Sequence, residues 1–259
     1  MTDRYSDGSA GDADYSRIGK GYALIRQPDP RIAARILDAL GDARTVLNVG
    51  AGAGSYEPVD RAVTAVEPSA SMRAQRPAWL SRAIDALSDH LPFADDSFDA
   101  SMASVTVHQW PNLAAGLSEM RRVTTGPVVI LTFDPAPPVH WWLMDYAPEL
   151  FEIESRRMPP IPSIVATLVG NTTVDTVSLP HDCVDGFAQS FFARPERLLE
   201  PEVRRATSAW SFVPAAAVER FVRDLGSDLA SGAWDARYGE FRSLPELDVG
   251  LRLVVGRRA

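Results

Sequence analysis

An apolar run that ends in three closely spaced glycines constrains the fold of this chain more than any other feature. The stretch Val46–Glu57 reads VLNVGAGAGSYE, with glycines at positions 50, 52 and 54. Glycine tolerates positive φ and lets a ligand approach the main chain without a Cβ in the way. The third glycine follows the first by four positions, whereas the dinucleotide fingerprint G-x-G-x-x-G needs five. The stretch therefore predicts a buried strand followed by a tight turn that approaches a ligand.

An acidic residue follows this turn at a distance typical of nucleoside sites. Glu67 lies seventeen residues after Gly50, at the end of the segment VTAVEPS. A carboxylate that ends the second strand of such a sheet is placed to accept both hydroxyls of a ribose. The alternative is a glycine-rich turn beside a solvated glutamate, but the strand, the glycines and the acid together favour a nucleoside site.

Short apolar runs alternate with helical patterns along the first half of the chain. A helix is predicted over residues 30–41, where Ile32, Ile36, Leu37 and Leu40 share a face and Gly41 stops the helix. Strands are predicted at 45–49, 63–66, 82–84, 99–104 and 128–132, with helices at 69–75 and 112–123. Such alternation indicates a parallel sheet with helices on both faces.

The second half of the chain is less regular. Residues 135–162 are rich in proline and aromatic residues. Further elements are predicted as a helix at 163–170, a strand at 175–179, helices near 195–206 and 214–230, and a closing strand at 248–255. We expect the late strands to complete the sheet and the segments between them to cap its binding edge.

Composition narrows the possible partners. The 259 residues carry a net charge of −8, and an acidic surface repels nucleic acid and anionic lipid. No apolar run reaches the roughly 18 residues of a membrane span, and the polar N-terminus is not a signal peptide. Cys183 is the only cysteine, which indicates a reducing cytoplasm. Residues 1–14 lack apolar content and are expected to be mobile, and the oligomeric state stays open.

Five segments in order carry a family resemblance. They are VLNVGAGAG, VEPS, LPFADDSFD, VHQW and RRVTTGPVVILTF, within about residues 43–134. The chain resembles the class I S-adenosylmethionine-dependent methyltransferases of the type 11, small-molecule branch. The resemblance implies an α/β fold with a Rossmann-like seven-stranded sheet, a reversed last strand, helices on both faces and a cap.

The same resemblance implies how the chain is divided. It is a single domain over 1–259, with an N-terminal segment over the cofactor (1–28) and an S-adenosylmethionine-binding core (43–134). Cap and substrate-binding segments are interleaved with the late strands over 135–245.

The resemblance also implies the cofactor-binding residues. They are Tyr22, Arg26, Asn48, Gly50, Ala51, Gly52, Gly54, Glu67, Pro68, Met72, Asp85, Ala86, Leu87 and Ser104. Tyr15, Tyr22 and Arg26 are placed to reach the methionyl carboxylate, for which an arginine fork is well suited.

Three departures from the family pattern stand out. Asn48 occupies a position that is usually acidic, and only eight residues separate Gly54 from Val63, which shortens the first helix to a turn or two. The usual acidic partner of the adenine amino group falls on Leu87. Either Asp85 or a backbone carbonyl near Leu87 takes that role.

Methyl transfer to a hydroxyl calls for a base, and histidine is the usual candidate. His108 follows the fourth strand at the edge where substrates enter, although a packing or capping role is equally compatible with its position. His181 lies beside Asp182 in the PHDC turn and is the second candidate. The predicted substrate-binding residues are Trp110, His140, Trp141 and Tyr146, which form either a substrate wall or a small satellite core. Cys183 is expected to be a buried structural thiol, and no metal-ligand spacing appears.

The favoured function is S-adenosylmethionine-dependent methyl transfer to the O, N or C atom of a small molecule in secondary metabolism. The segment SVTV after the fourth strand differs from the proline-aromatic tetrapeptide of amino-methylating DNA enzymes. Two alternatives remain at this point: a cyclisation or rearrangement that uses the cofactor without net methyl transfer, and a non-catalytic binding subunit.

Overall fold

The computed structural model of the chain describes residues 5–9, 11–14 and 21–258, so the predicted contact from Tyr15 lies outside the described residues. The strands are β1 (Thr45–Val49), β2 (Ala62–Val66), β3 (Ala100–Ser104), β4 (Val128–Phe133), β5 (Asn171–Thr176), β6 (Leu179–Pro180), β7 (Glu246–Leu247) and β8 (Leu251–Arg257). Six of them form the central sheet in the order β2-β1-β3-β4-β8-β5, and β6 pairs with β7 separately.

Strand direction in the sheet follows the sequence-based expectation. Strands β1 to β4 are mutually parallel, whereas β8 runs antiparallel to both β4 and β5. The reversed last strand is therefore confirmed. The expected count of seven strands is not reached, because the segment at 82–84 makes only one parallel bridge, between Ile84 and Val66. The chain turns from there into the wall of a cleft at Ala86.

Helices flank the sheet and cover its carboxyl edge. They are α1 (Tyr22–Ile25), α2 (Pro30–Leu40), α3 (Ala70–Arg73), α4 (Leu113–Val123), α5 (Trp142–Tyr146), α6 (Pro148–Arg157), α7 (Ile161–Thr167), α8 (Pro201–Arg205), α9 (Ala215–Ser231) and α10 (Ala233–Tyr238). Five 3-10 segments lie at Val107–Gln109, Ala188–Phe191, Pro195–Leu199, Ser208–Phe212 and Gly239–Ser243. No helix among the described residues is long and apolar enough to cross a bilayer.

Local sequence explains where the helices begin. The Asp29 side chain accepts from the Arg31 amide and caps α2, whose first residue is Pro30. Asn112 caps α4 in the same way by accepting from the Ala115 amide. These short polar side chains satisfy main-chain donors that the first helical turn leaves open.

The sheet is buried on both faces because alternate side chains of each strand point to opposite sides. On one side Val129 and Leu131 of β4 pack with α2 and the cap in one large cluster. On the other side Val128 and Ile130 pack with α4 and α7. Both clusters leave the carboxyl ends of β1 to β3 free to build a site.

The described part of the N-terminus packs onto this edge. Ser9 and Ala13 are each 1% exposed. The Ser69 hydroxyl donates to Asp7 at 2.7 Å, and Asp12 forms an ion pair with the buried Arg157. These contacts are polar, and the low apolar content of the segment gave no indication of them.

Candidate functional site

A cleft of about 890 Å³, including its open mouth, lies at the carboxyl ends of β1, β2 and β3. Most of the predicted cofactor-binding residues line it: Tyr22, Arg26, Asn48, Gly50, Ala51, Gly52, Glu67, Pro68, Met72, Ala86, Leu87 and Ser104. Gly54 and Asp85 are absent from the lining. This concave site at the strand ends of an α/β sheet is where ligands of such folds bind.

The three glycines shape the cleft for different reasons. Gly50, Gly52 and Gly54 all have positive φ, at 70°, 53° and 97°. A Cβ on Gly50 would lie 2.3 Å from the Thr106 hydroxyl, and one on Gly54 would lie 2.2 Å from Leu80 Cδ1. The first and third glycines thus permit close packing around the turn, whereas Gly52 lies in the cleft wall.

Glu67 is held in place by main-chain donors. Its carboxylate accepts from the Gly52 amide and from the Ser69 amide, both at 2.8 Å. The side chain is 7% exposed, and its burial raises the pKa of the carboxyl. A carboxylate has about four acceptor positions, so two fixed donors leave room for the hydroxyls of a ribose.

The neutral Asn48 is supported by a buried ion pair. Its amide nitrogen donates to Glu57 Oε1 at 3.0 Å, and Arg76 Nη2 lies 2.8 Å from Glu57 Oε2. The carboxylate thus comes from the turn between β1 and β2, where the described chain forms no helix at all. Asn48 Oδ1 is buried and has no partner among the described residues, so it is a suitable acceptor for an ammonium group.

At the end of the cleft where the adenine is expected, the residues around Leu87 line the wall and Asp85 does not. Asp85 is exposed and its carboxylate lies 3.4 Å from Arg73, outside the cleft. Ala86, Leu87 and Ser88 form the wall, and Ser88 Oγ is buried with no partner within the described chain. Of the two alternatives for the adenine contact, the geometry favours the main chain near Leu87.

Arg26 lies in the cleft wall, but its fork is already occupied. Its Nε and Nη2 donate to the two oxygens of Asp185 at 2.5 and 3.3 Å, and its Nη1 donates to the Tyr22 hydroxyl at 2.9 Å. Tyr56 donates to the same aspartate at 2.8 Å. Arg26 therefore serves as the partner of Asp185, and the expected pairing with the methionyl carboxylate would have to compete with that ion pair.

A second cavity adjoins the cleft. It shares Tyr22, Arg26 and Val105 with the cleft. We call it the inner chamber. Its remaining lining residues are His108, Phe133, Glu154, Met158, Phe187, Gln189, Ala206, Thr207 and Ser208.

The two histidines that were expected as bases lie in different surroundings. His108 lines the inner chamber, but burial, with Arg157 nearby, lowers its pKa to about 3. An imidazole this weak is neutral at ordinary pH and is a poor proton acceptor. His181 lies directly after β6, is exposed and lines neither cavity.

The predicted substrate wall divides in the same way. Trp110 lines the cleft. Trp141 is 1% exposed and belongs to the large core cluster, Tyr146 donates to Asp228 at 2.5 Å, and His140 is an exposed partner of Asp145. The core alternative describes Trp141 and Tyr146 better than the substrate wall does, whereas His140 belongs to neither.

Several lining residues escaped the sequence analysis. Ser9, Tyr56, Ser88, Thr106 and Gln109 line the cleft. Thr106 and Gln109 flank His108, so their place at the edge could have been inferred from it. The sole cysteine, Cys183, is buried, which raises the pKa of its thiol to about 12 and leaves it unreactive.

Glu154 is the missed residue with the clearest sequence signal. Leu150, Glu154 and Met158 recur at intervals of four, which places the acid on the apolar face of α6. The structure buries all three side chains. An acid within an apolar stripe was therefore visible in the sequence.

Comparison with known proteins agrees with the geometry. The family described as "Methyltransferase domain" matches residues 47–128. Malonyl-[acyl-carrier protein] O-methyltransferase of Halorhodospira halophila is 29% identical over 137 residues, which cover 48% of this chain and 46% of that protein. The chain thus matches about half the length of this curated relative.

Solved structures extend the likeness to the cap. A protein assigned as a methyltransferase from an antibiotic biosynthesis pathway of Anabaena variabilis is 31% identical, with a TM-score of 0.85 over 90% of this chain and 99% of that one. Geranyl diphosphate C-methyltransferase from Streptomyces coelicolor shares the fold at 13% identity, with a TM-score of 0.51 over 98% of this chain and 92% of that one.

The described residues also fit the cofactor of this family. Glu67 offers acceptor positions for ribose hydroxyls, and the unpartnered Asn48 Oδ1 suits an ammonium group. The chain therefore belongs to the class I methyltransferases whose cofactor is S-adenosylmethionine.

Proposed function

We propose that this protein transfers a methyl group from S-adenosylmethionine to a small-molecule acceptor, as part of secondary metabolism. The inner chamber is the observation that carries the proposal. Tyr22, Arg26 and Val105 line both the inner chamber and the cleft, so the two cavities adjoin. Such a position suits an acceptor that must come within reach of the donor methyl group.

S-adenosylmethionine, when bound, supplies an activated methyl group on a sulfonium centre. The chain supplies position. Glu67 and the glycine turn fix the nucleoside end, and Asn48 supports the amino acid end. Residues of α6 and of the segment 187–208 line the inner chamber on the side of the cap. Displacement at the methyl carbon then depends on alignment of the two reactants, which is worth several kcal/mol in such reactions.

Two properties support a small acceptor over a macromolecule. The inner chamber is a small cavity, lined by side chains of β4, α6 and the segment 187–208, which suits a small ligand. The net charge of −8 disfavours a nucleic acid. The assignment of the Anabaena variabilis relative to an antibiotic pathway supports a role in secondary metabolism.

Methyl-labelled S-adenosylmethionine tests the proposal. The protein is incubated with the labelled cofactor and a panel of phenols, carboxylic acids and amines, and products are analysed by mass. Label in a product supports methyl transfer. An altered acceptor without label indicates a rearrangement instead, and cofactor binding without any product across the panel contradicts the proposed small-molecule transfer.

A further inference from the structure

The inner chamber contains a buried acid that has no structural counter-ion. Glu154 is 8% exposed and lines both the inner chamber and a neighbouring cavity of about 290 Å³. Gln189 Nε2 donates to Glu154 Oε2 at 2.8 Å. No hydrogen bond or ion pair within the described chain engages Oε1.

The arginines that line or flank the inner chamber form ion pairs with other carboxylates. Arg157, on the same helix, forms an ion pair with Asp12, and Arg26 forms one with Asp185. Burial consequently raises the pKa of Glu154 to about 7, with opposing contributions from Arg157 and from the Gln189 hydrogen bond. A buried carboxyl that titrates near neutrality without a partner is costly to keep, and such groups concentrate at functional sites.

The other titratable groups around this acid do not take its role. His108, in the segment after β3, lines the same chamber and is neutral, since the pKa of His108 is about 3. Tyr22 faces the inner chamber from α1, and burial raises the pKa of its hydroxyl. Asp134, which follows β4, lines only the neighbouring cavity and accepts from the Ala136 amide.

We propose that Glu154 is the general base for methyl transfer and that the acceptor is a phenol or enol whose reacting hydroxyl hydrogen-bonds to Oε1. This inference rests on the proposed function. The acceptor oxygen forms a bond to the methyl carbon, and the carbon–sulfur bond breaks with its electron pair left on sulfur. The hydroxyl proton passes to Glu154, which later releases it to solvent. Gln189 is a positioning residue, because it holds the other carboxylate oxygen.

The walls of the inner chamber favour this acceptor class. Phe133 and Phe187 form an edge-to-face pair at 5.2 Å beside Met158, which suits a flat apolar ring.

The pKa of Glu154 also suits the acidity of a phenol or enol hydroxyl. Proton transfer is most efficient when the catalytic group titrates near the working pH and close to the group that it deprotonates. Phenols and enols are much more acidic than alcohols. A carboxylate that titrates near pH 7 therefore suits them better than it suits an aliphatic hydroxyl.

The test compares Glu154→Gln with Glu152→Gln, a matched change on the solvent side of the same helix, where Glu152 meets Arg156. Labelled S-adenosylmethionine is supplied with the phenol panel, and S-adenosylhomocysteine affinity is measured by calorimetry. We expect Glu154→Gln to slow labelling of phenols by roughly 10²–10⁴-fold, with affinity changed less than about twofold. The control should keep the rate of the unaltered protein.

Two further readouts separate a base from a merely structural acid. The rate of the unaltered protein should rise as the pH passes through about 7, and infrared spectroscopy should show a protonated carboxyl band that titrates there and is missing in Glu154→Gln. Gln189→Met removes the donor that favours the charged form. It should move the midpoint of the pH–rate profile upward, and this variant tests the proposal even if Glu154→Gln folds poorly.

The failures are distinguishable. No binding of S-adenosylhomocysteine by the unaltered protein contradicts the proposed function itself. Binding with label in amines or carboxylic acids but in no phenol overturns the acceptor class. Label in phenols at an equal rate in Glu154→Gln, or a pH midpoint that Gln189→Met leaves in place, overturns the role of Glu154.

Discussion

The cleft and the inner chamber lie side by side, yet the chain builds them from different material. In the cleft, main-chain amides of Gly52 and Ser69 fix one carboxylate, Glu67, and glycines form the turn. In the inner chamber, side chains such as Phe133 and Glu154 arrive from separate segments. A main-chain site fixes one cofactor, whereas a side-chain site can change its ligand by substitution without disturbing the sheet.

The wall between the two cavities is their shared structural element. Arg26 and Tyr22 line both cavities. The carboxylate of Asp185 accepts a hydrogen bond from Arg26 Nε and fixes its position. Damage to this wall should affect the whole protein, whereas changes on either side should affect one ligand only.

The largest effect is expected from Asp185→Asn. The change leaves the guanidinium of Arg26, which is 8% exposed, buried without its counter-charge. Loss of one member of a buried pair costs about 3–5 kcal/mol, so the free energy of unfolding in urea should fall by that amount. Asp182→Asn, which removes an exposed partner of Arg31, should lower the free energy of unfolding much less, because solvent screens exposed ion pairs. Equal losses of unfolding free energy in the two variants would show that the buried ion pair in this wall contributes no more to stability than an exposed one.

The second effect concerns stability against pH. Because the pKa of Glu154 rises from 4.5 to about 7 on folding, the folded protein keeps a proton that the unfolded chain releases. The contribution is complete below about pH 4.5 and is lost as the pH rises to about 7, a fall of about 3 kcal/mol. The fall should be seen in the difference between the unaltered protein and Glu154→Gln, measured by denaturation at several pH values. A constant difference across this range would contradict a buried, unpaired acid.

The third effect is confined to the cleft. Glu67→Ala removes the acceptor of two amides and of the expected ribose hydroxyls. We expect a loss of about 2–3 kcal/mol in S-adenosylhomocysteine binding, measured by calorimetry, which is about 30- to 150-fold in Kd. Asp85→Ala, outside the cleft, is the control and should bind nearly as the unaltered protein does. An unchanged Kd for Glu67→Ala would move the ribose elsewhere.

The smallest effect is expected from His108→Ala. A pKa of about 3 keeps this imidazole neutral at every working pH, so its loss removes packing and one hydrogen-bonding group but no base. Turnover of a phenol should fall by less than about tenfold, and the pH–rate midpoint near 7 should stay in place. A large loss together with a flattened profile would return the role of base to His108.

The cleft could be predicted from the sequence because its determinants are local. The strand, the glycine turn and Glu67 lie within 22 residues, from Val46 to Glu67, and each has a periodicity or spacing of its own. The parallel direction of β1 to β4 follows from the alternation of strands and helices, whereas the reversal of β8 was implied by the family resemblance. The expected seventh strand does not form because the segment at 82–84 leaves the sheet after a single bridge and is too short to count as a strand.

The inner chamber could not be predicted in this way because its chemistry depends on distant contacts. His108 lies at the expected edge, but Arg157, far along the chain, helps to lower its pKa. Asp185 forms an ion pair with the guanidinium of Arg26, although the two residues are 159 positions apart in the sequence. No sequence pattern predicts that contact. Only Glu154 left a trace, as an acid in an apolar helical stripe.

A crystal structure with S-adenosylhomocysteine tests the central claim, that a cofactor in the cleft delivers its methyl group into the inner chamber. We predict ribose hydroxyls on Glu67, the ammonium group near Asn48, and the sulfur directed at the wall formed by Tyr22, Arg26 and Val105. A sulfur atom directed at the open mouth of the cleft, or a nucleoside bound away from Glu67, would contradict the account.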